Sequence, residues 1–106
     1  AGQDYLKNNA DTARKFLAAV AKGYEYAIAN PEEAAKILVK HAPEVDLELA
    51  IASQRYLADQ YKAEVERWGY IDQQRWDNFY SWMYENGLIP IKLEAGAGFT
   101  NEYLPE

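Results

Sequence analysis

The longest helical signal in the chain is ADTARKFLAAVAKGYEYAIANP, residues 10–31. Apolar side chains recur in it at the i, i+3, i+4, i+7 spacing of one helix face. Asn9 precedes the stretch as the expected N-cap, and Pro31 ends it. Gly23 lies inside it, and we expect another backbone to pack closely there, because glycine otherwise lowers helix stability. The stretch therefore predicts a helix over residues 10–29.

Three further helices are predicted from their start and stop residues. Each begins at a residue that can cap a helix N-terminus or occupy its first turn, and each ends at proline, glycine or a charged stretch. Their expected limits are Pro31 to about Ala42, Asp46 to about Tyr61, and Asp72 to Asn86. Asn30 and Glu33 have the spacing of a capping-box pair. Gly87 and Leu88 are expected to close the last helix as a Schellman motif.

The rest of the chain is predicted to be irregular. Lys62–Gly69 is charged and holds at most a short extra turn. Residues 90–106 form an irregular tail, and Phe99–Leu104 is expected to dock back on the helices through its aromatic residues. No stretch is predicted as a strand. We therefore predict an all-α chain of four main helices plus short ones.

Composition excludes several classes of function. The chain has 106 residues, a net charge of −6, no cysteine and one histidine. The negative charge argues against a nucleic-acid partner and against an anionic membrane surface. Without cysteine there are no disulfides or thiolate sites, and a single histidine argues against a triad or a histidine-rich metal site. No apolar run approaches the ~20 residues of a membrane span, and no signal peptide is recognised at Ala1.

The acidic residues and the histidine have structural explanations. Glu32 and Glu33 lie in a first helical turn, where the helix dipole favours anions, and His41 lies in a last turn, where it favours cations. No two acids are expected to share an apolar pocket, as catalysis by a carboxylate pair with separated pKa values requires. We therefore predict no catalytic residue, no metal site and no cofactor.

Aromatic residues make up 14% of the chain and are concentrated in residues 68–84. The stripe Trp76, Phe79, Tyr80 and Met83 has helical periodicity and is predicted to be buried as part of a large aromatic core. Aromatic residues off that stripe can stack on a planar ligand or on a partner surface. The predicted ligand or partner contacts are Trp68, Tyr70, Trp82 and Tyr84.

Five segments carry a family resemblance: FLAAVAKGYEYAIANP at 16–31, EEAAKIL at 32–38, DLELAIASQRYL at 46–57, RWGYIDQQRWDNFYSWMYENGLI at 67–89 and FTNEYLP at 99–105. Together they resemble the solute-binding proteins of ABC importers. More specifically, they resemble the branch that binds the hydroxymethylpyrimidine-type precursor of thiamine. The resemblance extends from about Tyr5 to Pro105, and FTNEYLP is its most specific segment.

The resemblance implies a longer parent protein with two α/β lobes that close on the ligand. Residues 1–106 would form its C-terminal third, a helical segment of one lobe. It also implies an extracytoplasmic location, periplasmic or lipid-anchored, with the signal segment outside this chain. The partners would be a small-molecule solute, held mainly by residues upstream of this region, and an ABC permease. Because helix faces that cover a sheet in the parent would lack that sheet here, we also predict self-association.

Three alternatives stay open. Related branches of the family bind riboflavin, sulfonates or nitrate. A fungal pyrimidine-precursor synthase shares the fold, and it would need histidine and metal chemistry from sequence upstream of this chain. The third alternative is a free-standing helical interaction module. Among these, we predict a binding protein and not an enzyme.

Overall fold

The computed structural model describes residues 1–106 and contains five α-helices and no strand. The helices are α1 (Gln3–Asn8), α2 (Ala10–Ala29), α3 (Pro31–His41), α4 (Leu47–Ala58) and α5 (Gln73–Glu85). The prediction of an all-α chain with four main helices is confirmed. The short helix is α1, whereas Lys62–Gly69 forms turns.

Two of the predicted aspartate caps are confirmed. The Asp46 carboxylate accepts a hydrogen bond from the Leu49 backbone N–H at 2.8 Å. Asp72 accepts one from the Arg75 N–H at 2.8 Å. Each bond satisfies one of the N–H groups that a helix start leaves without an intrahelical partner. Helix α4 then ends at Ala58, somewhat before the predicted limit.

The two asparagine caps were predicted incorrectly. Asn9 and Asn30 stand at the N-cap positions of α2 and α3, but neither side chain caps the helix that follows it. Each amide donates backward instead, to the carbonyl four residues earlier, at 3.2 Å for Asn9 and 3.1 Å for Asn30. Glu33 completes no capping box because its carboxylate pairs with Lys36 at 2.7 Å. Each asparagine side chain therefore adds a second hydrogen bond to a carbonyl of the preceding helix that already accepts from the same residue's backbone N–H.

The end of α5 has the predicted Schellman geometry. Gly87 has a φ of +70°, which glycine adopts without strain. The Leu88 N–H donates to the Met83 carbonyl at 2.8 Å, and the Gly87 N–H donates to the Tyr84 carbonyl at 3.0 Å. These two bonds are the pair that defines the motif.

Helices α2, α3 and α4 form one layer, in which α3 and α4 pack most extensively against each other. Helix α1 contacts only α2. An exposed ion pair between Arg55 and Glu32 also joins α4 to α3. The buried residues are all alanines: Ala21, Ala35, Ala50 and Ala58. The predicted aromatic core is therefore wrong, because Phe79 of the stripe is exposed and Trp76, Tyr80 and Met83 are only partly buried.

The molecule exposes far more surface than a compact domain of its mass. Its accessible surface is 8200 Å², whereas a folded 12.1 kDa monomer is expected to expose about 6,000 Å². The radius of gyration is 17.3 Å, against about 13 Å for a compact chain of this length. Roughly 2,200 Å² of surface is therefore in excess of the globular expectation.

Helix α2 accounts for part of this exposed surface. Apolar or small residues cover more than half of its circumference, and only one side of it faces α3 and α4. We call the uncovered side the outer face of α2; it is formed by Phe16, Ala19, Gly23 and Tyr26, all exposed. A Cβ placed on Gly23 would meet no atom within 4 Å. The predicted backbone neighbour of Gly23 is therefore absent from this chain.

Helix α5 contacts no other helix. The C-terminal tail holds it instead: the Trp76 indole N–H donates to the Ala97 carbonyl at 2.9 Å, and the Gly96 N–H donates to the Asp77 carboxylate at 2.8 Å. Phe79, predicted to be buried, is 55% exposed because it faces away from the tail. No helix of the structure combines the length and the apolar character that crossing a membrane requires.

Candidate functional site

A short loop and the C-terminal tail run alongside each other in opposite directions. The centre of the contact is Asn101, whose amide donates to the Ile71 carbonyl at 2.8 Å and accepts from the Ile71 N–H at 2.9 Å. One side chain thereby provides both hydrogen bonds that a neighbouring strand would give to that residue. Both groups are partly buried, which raises the cost of leaving either without a partner.

Two further contacts continue this pairing. Gly69, with a φ of +83°, lies against Leu104, and a Cβ built on it would be 3.0 Å from the Leu104 Cδ2. The Arg67 guanidinium donates to the Pro105 carbonyl at 3.3 Å. We call residues 67–71 together with residues 101–105 the tail clasp. It joins the α5 end of the molecule to the loop that leaves α4.

Trp68 lies within the tail clasp and packs inward. Its ring is nearly parallel to that of Tyr24 on α2, with centroids 4.6 Å apart, and Tyr24 also meets the edge of Tyr61 at 5.1 Å. The Tyr61 hydroxyl is in turn hydrogen-bonded to the side chain of Gln54. Trp68 is half-buried, so most of its contact is with this chain.

Tyr70 lies at the other side of the loop and borders an open groove of about 660 Å³. Its ring is 43% exposed, and the Arg67 guanidinium lies 5.9 Å from its centroid. The groove is lined mainly by apolar and aromatic side chains, with two acids and one base: Glu64, Val65, Tyr70, Ile71, Asp72, Arg75, Trp76 and Phe79. Its size and lining are typical of small-molecule or peptide sites.

The other two predicted contacts lie on α5. Trp82 is 52% exposed, and its ring is nearly parallel to that of Phe79 at 6.5 Å. Because Phe79 also lines the groove, the structure brings Tyr70 and Trp82 to one aromatic surface through it. Tyr84 is partly exposed near the end of α5 and lines none of the main pockets. Trp68 faces α2 instead, so the four residues do not form one cluster.

Three residues that were not among the predicted ligand or partner contacts help to build this region. Phe79 was assigned to the buried stripe, yet it connects Tyr70 to Trp82. Tyr24 lies in the stretch predicted as the longest helix, and its ring stacks on that of Trp68. Asn101 lies in FTNEYLP, the most specific segment of the family resemblance, and that specificity was the one signal that could have found it.

Titratable groups form no obvious catalytic arrangement in this chain. His41 is exposed at the end of α3. No three or more histidine, aspartate or glutamate side chains gather as a metal-binding group. A second apolar pocket of about 440 Å³ lies between α1, α2 and the tail, and its lining includes Phe16 and Tyr103.

Comparison with known proteins finds a family similarity over the first third of the chain. Residues 1–34, which span α1, α2 and the start of α3, match the family described as NMT1/THI5 like. The chain is 29% identical over 111 aligned positions to the riboflavin-binding protein RibY of Chloroflexus aurantiacus. It is 26% identical over 105 positions to the 4-amino-5-hydroxymethyl-2-methylpyrimidine phosphate synthases THI5 and THI11 of Saccharomyces cerevisiae.

The family match covers 34 of the 106 residues, so it is a similarity over α1, α2 and the start of α3. The alignments cover 94–95% of this chain but only 28–30% of each relative, so the chain spans less than a third of the length of the curated relatives it matches. The relatives include both a binding protein and synthases, so both classes of protein carry this sequence pattern.

Proposed function

We propose that this chain is the helical cover of one lobe of an extracytoplasmic solute-binding protein that serves an ABC importer. The ligand of the whole protein would be a pyrimidine precursor of thiamine. The observation that carries the proposal is the excess of exposed surface, 8200 Å² against about 6,000 Å² for a compact monomer. Helices that end one layer of a larger lobe are expected to show such uncovered apolar faces.

The outer face of α2 is the clearest of these surfaces. A helix that is apolar around most of its circumference is typical of a buried position between two layers. Within this chain the only helices that α2 contacts are α1, α3 and α4, and its outer face stays exposed. Gly23 leaves room on the other side, where its missing side chain permits close approach. We therefore assign the outer face of α2 to contact with the rest of the lobe.

The chemistry of the ligand is supported by what the relatives' names share. Riboflavin and 4-amino-5-hydroxymethyl-2-methylpyrimidine both contain planar, nitrogen-rich aromatic rings. Such rings stack favourably on tyrosine and tryptophan side chains. Tyr70 and Trp82 present partly exposed rings on one aromatic surface, and with Trp68 and Tyr84 they remain our proposed contacts to ligand or partner.

Calorimetry on the complete protein that contains this chain tests the proposal. Titration with 4-amino-5-hydroxymethyl-2-methylpyrimidine is expected to give saturable binding at one site. The matched control is the same pyrimidine without its 4-amino group, which should bind more weakly because one hydrogen-bonding group is lost. Saturable heat with riboflavin and none with the pyrimidine would indicate that the ligand is a flavin. The absence of heat with either compound would contradict the proposed class of ligand.

A synthase is the second candidate, and the similarity to THI5 and THI11 favours it. Mass spectrometry of the ligand after prolonged incubation separates the two functions. A binding protein releases the added pyrimidine unchanged. A synthase of the kind named in those relatives forms a pyrimidine phosphate and needs a phosphorylated precursor, so the incubation is repeated with a small-molecule cell extract as its source. A pyrimidine phosphate that appears with the protein and not with the extract alone would overturn the transport proposal.

A further inference from the structure

The tail clasp is where the two halves of the molecule meet. Helix α5 contacts none of the other helices. The loop of the clasp reaches α2 through the stack of Trp68 on Tyr24. The tail reaches α2 as well, because the Arg14 guanidinium lies 5.1 Å from the centre of the Tyr103 ring. The relative position of α5 and the α1–α4 layer therefore depends on whether loop and tail stay together.

Asn101 is suited to hold the clasp because it meets both polar groups of one residue. The Ile71 carbonyl needs a donor and the Ile71 N–H needs an acceptor, and a primary amide offers one of each. An ionised carboxylate of the same length could only accept, and it would face the Ile71 carbonyl with like partial charge. An alanine would leave both groups of Ile71 without this partner.

We propose that the tail clasp is a conformational lock, and that Asn101 is the positioning residue that keeps the Trp68-Gly69-Tyr70 loop in place. While the clasp is closed, Trp68 stays on α2 and Tyr70 stays at the edge of the groove. When it opens, α5 and its aromatic surface are free to move relative to α1–α4. A ligand or partner that contacts Tyr70 and Trp82 then binds only the closed fraction of molecules, which lowers its apparent affinity.

The lock itself can be tested without any ligand. The protein is labelled with 5-fluorotryptophan, and the ¹⁹F NMR signal of Trp68 is assigned with the Trp68→Phe variant. Asn101→Ala and Asn101→Asp are each expected to shift or broaden that signal at neutral pH. The matched control is Asn78→Asp, the same chemical change on the exposed face of α5, where Asn78 pairs only with Gln74. The control should leave the Trp68 signal unchanged.

Acidification separates a hydrogen-bonding role from simple loss of packing. Below the usual pKa of aspartate, about 3.9, the protonated side chain of Asn101→Asp can donate as well as accept. The Trp68 signal of Asn101→Asp should then return toward the wild-type position, while that of Asn101→Ala should not. The charged groups on or beside the two segments are Glu66, Arg67, Asp72, Glu102 and Glu106, and those on the neighbouring side of α2 are Arg14, Lys22 and Glu25. The same charged groups are present in the wild type and in Asn101→Ala. The Trp68 signals of both are therefore recorded over the same pH range as controls for titration of these groups.

Unchanged Trp68 signals in both Asn101 variants would overturn the lock, as would an identical pH response of the two variants. If Asn101→Asp does not fold, Leu104→Ala provides an independent test, because it removes the contact with Gly69 and keeps the amide pair. A folded Leu104→Ala protein is expected to show a smaller shift of the Trp68 signal. No shift in it would count against the clasp.

The link to binding rests on the proposed function and is tested separately. In the complete protein, Asn101→Ala should raise the dissociation constant of 4-amino-5-hydroxymethyl-2-methylpyrimidine several-fold, and Asn78→Ala should not. A shifted Trp68 signal with an unchanged dissociation constant would overturn the link to binding and leave the lock standing. No binding by wild type would overturn the proposed ligand, whatever the Trp68 signal shows.

Discussion

The Asn101 side-chain amide and the Ile71 backbone form a two-way hydrogen-bonded pair, at 2.8 Å for the donated bond and 2.9 Å for the accepted one. The pair joins positions 30 residues apart in a chain whose other regular hydrogen bonds are mostly within helices. Like the Arg67 hydrogen bond to Pro105, it is a long-range polar connection that does not depend on a helix face. The stability of the Trp68-Gly69-Tyr70 loop should therefore change when residues of the loop or of the tail are substituted.

The first prediction concerns Gly69. Gly69→Ala places a Cβ at a φ of +83° and within 3.0 Å of Leu104. Both effects are unfavourable, and we expect the variant to lose about 1–3 kcal/mol of unfolding free energy in urea titrations followed by circular dichroism. Gly2→Ala is the matched control, because nothing lies within 4 Å of its Cβ and its φ is ordinary. A loss no larger in Gly69→Ala than in this control would contradict the close contact.

The second prediction concerns Gly23, where the sign of the effect depends on the context. In the isolated chain Gly23→Ala should stabilise the protein by about 0.5–1 kcal/mol, because alanine favours the helix and the site is open. In the complete protein the same change should be neutral or destabilising, since we expect neighbouring structure to pack there. Paired urea titrations measure both values. Equal stabilisation in the two proteins would argue against a neighbour at this position.

The third prediction compares the helix caps. Asp46→Ala and Asp72→Ala should each cost about 1 kcal/mol, because each removes an observed bond to a backbone N–H. Asn30→Ala should cost less, because its side chain caps no helix start and only adds to a carbonyl that the backbone already satisfies. Thermal unfolding of the three variants gives the order. A larger loss of stability in Asn30→Ala than in either aspartate variant would contradict this assignment of the caps.

Sequence periodicity was sufficient for the four main helices, because each has a local signal, but it did not place α1. Asp46 and Asp72 are followed by apolar residues at helical spacing. Gly87 marks the end of α5, because it adopts a positive φ that other residues rarely adopt. The hydrogen-bond roles of Asn9 and Asn30 were harder to predict, because an amide side chain can both donate and accept. At Asn9 and Asn30 donation to the preceding helix prevails over acceptance from the next one.

The candidate site was only partly predictable for a related reason. Helical periodicity places Phe79 on the same face as Trp76, but it cannot show which part of that face the tail covers. Tail residues Ala97, Gly98 and Phe99 lie against Trp76 and leave Phe79 exposed. The contact between Asn101 and Ile71 has no periodic signal at all. Long-range pairs of this kind depend on the folded path of the chain.

The fourth prediction concerns association. Each chain exposes roughly 2,200 Å² beyond the globular expectation, and a standard protein interface covers about 800 Å² per partner. We therefore expect the isolated chain to self-associate as its concentration rises, and more strongly in high salt, which screens the net charge of −6. Light scattering and sedimentation velocity measure this. A clean monomer at high concentration and high salt would contradict it.

The most direct test of the central claim is the accessibility of the outer face of α2. The chain has no cysteine, so a single thiol can be placed by Ala19→Cys on that face, with Lys15→Cys on the polar side of α2 as the control. Reaction rates with a maleimide are compared between the isolated chain, diluted until it is monomeric, and the complete protein. We predict similar rates for both thiols in the isolated chain, and at least a ~10-fold slower rate for the thiol at position 19 in the complete protein. Equal rates at position 19 in the two proteins would contradict the assignment of this chain as the helical cover of a larger lobe.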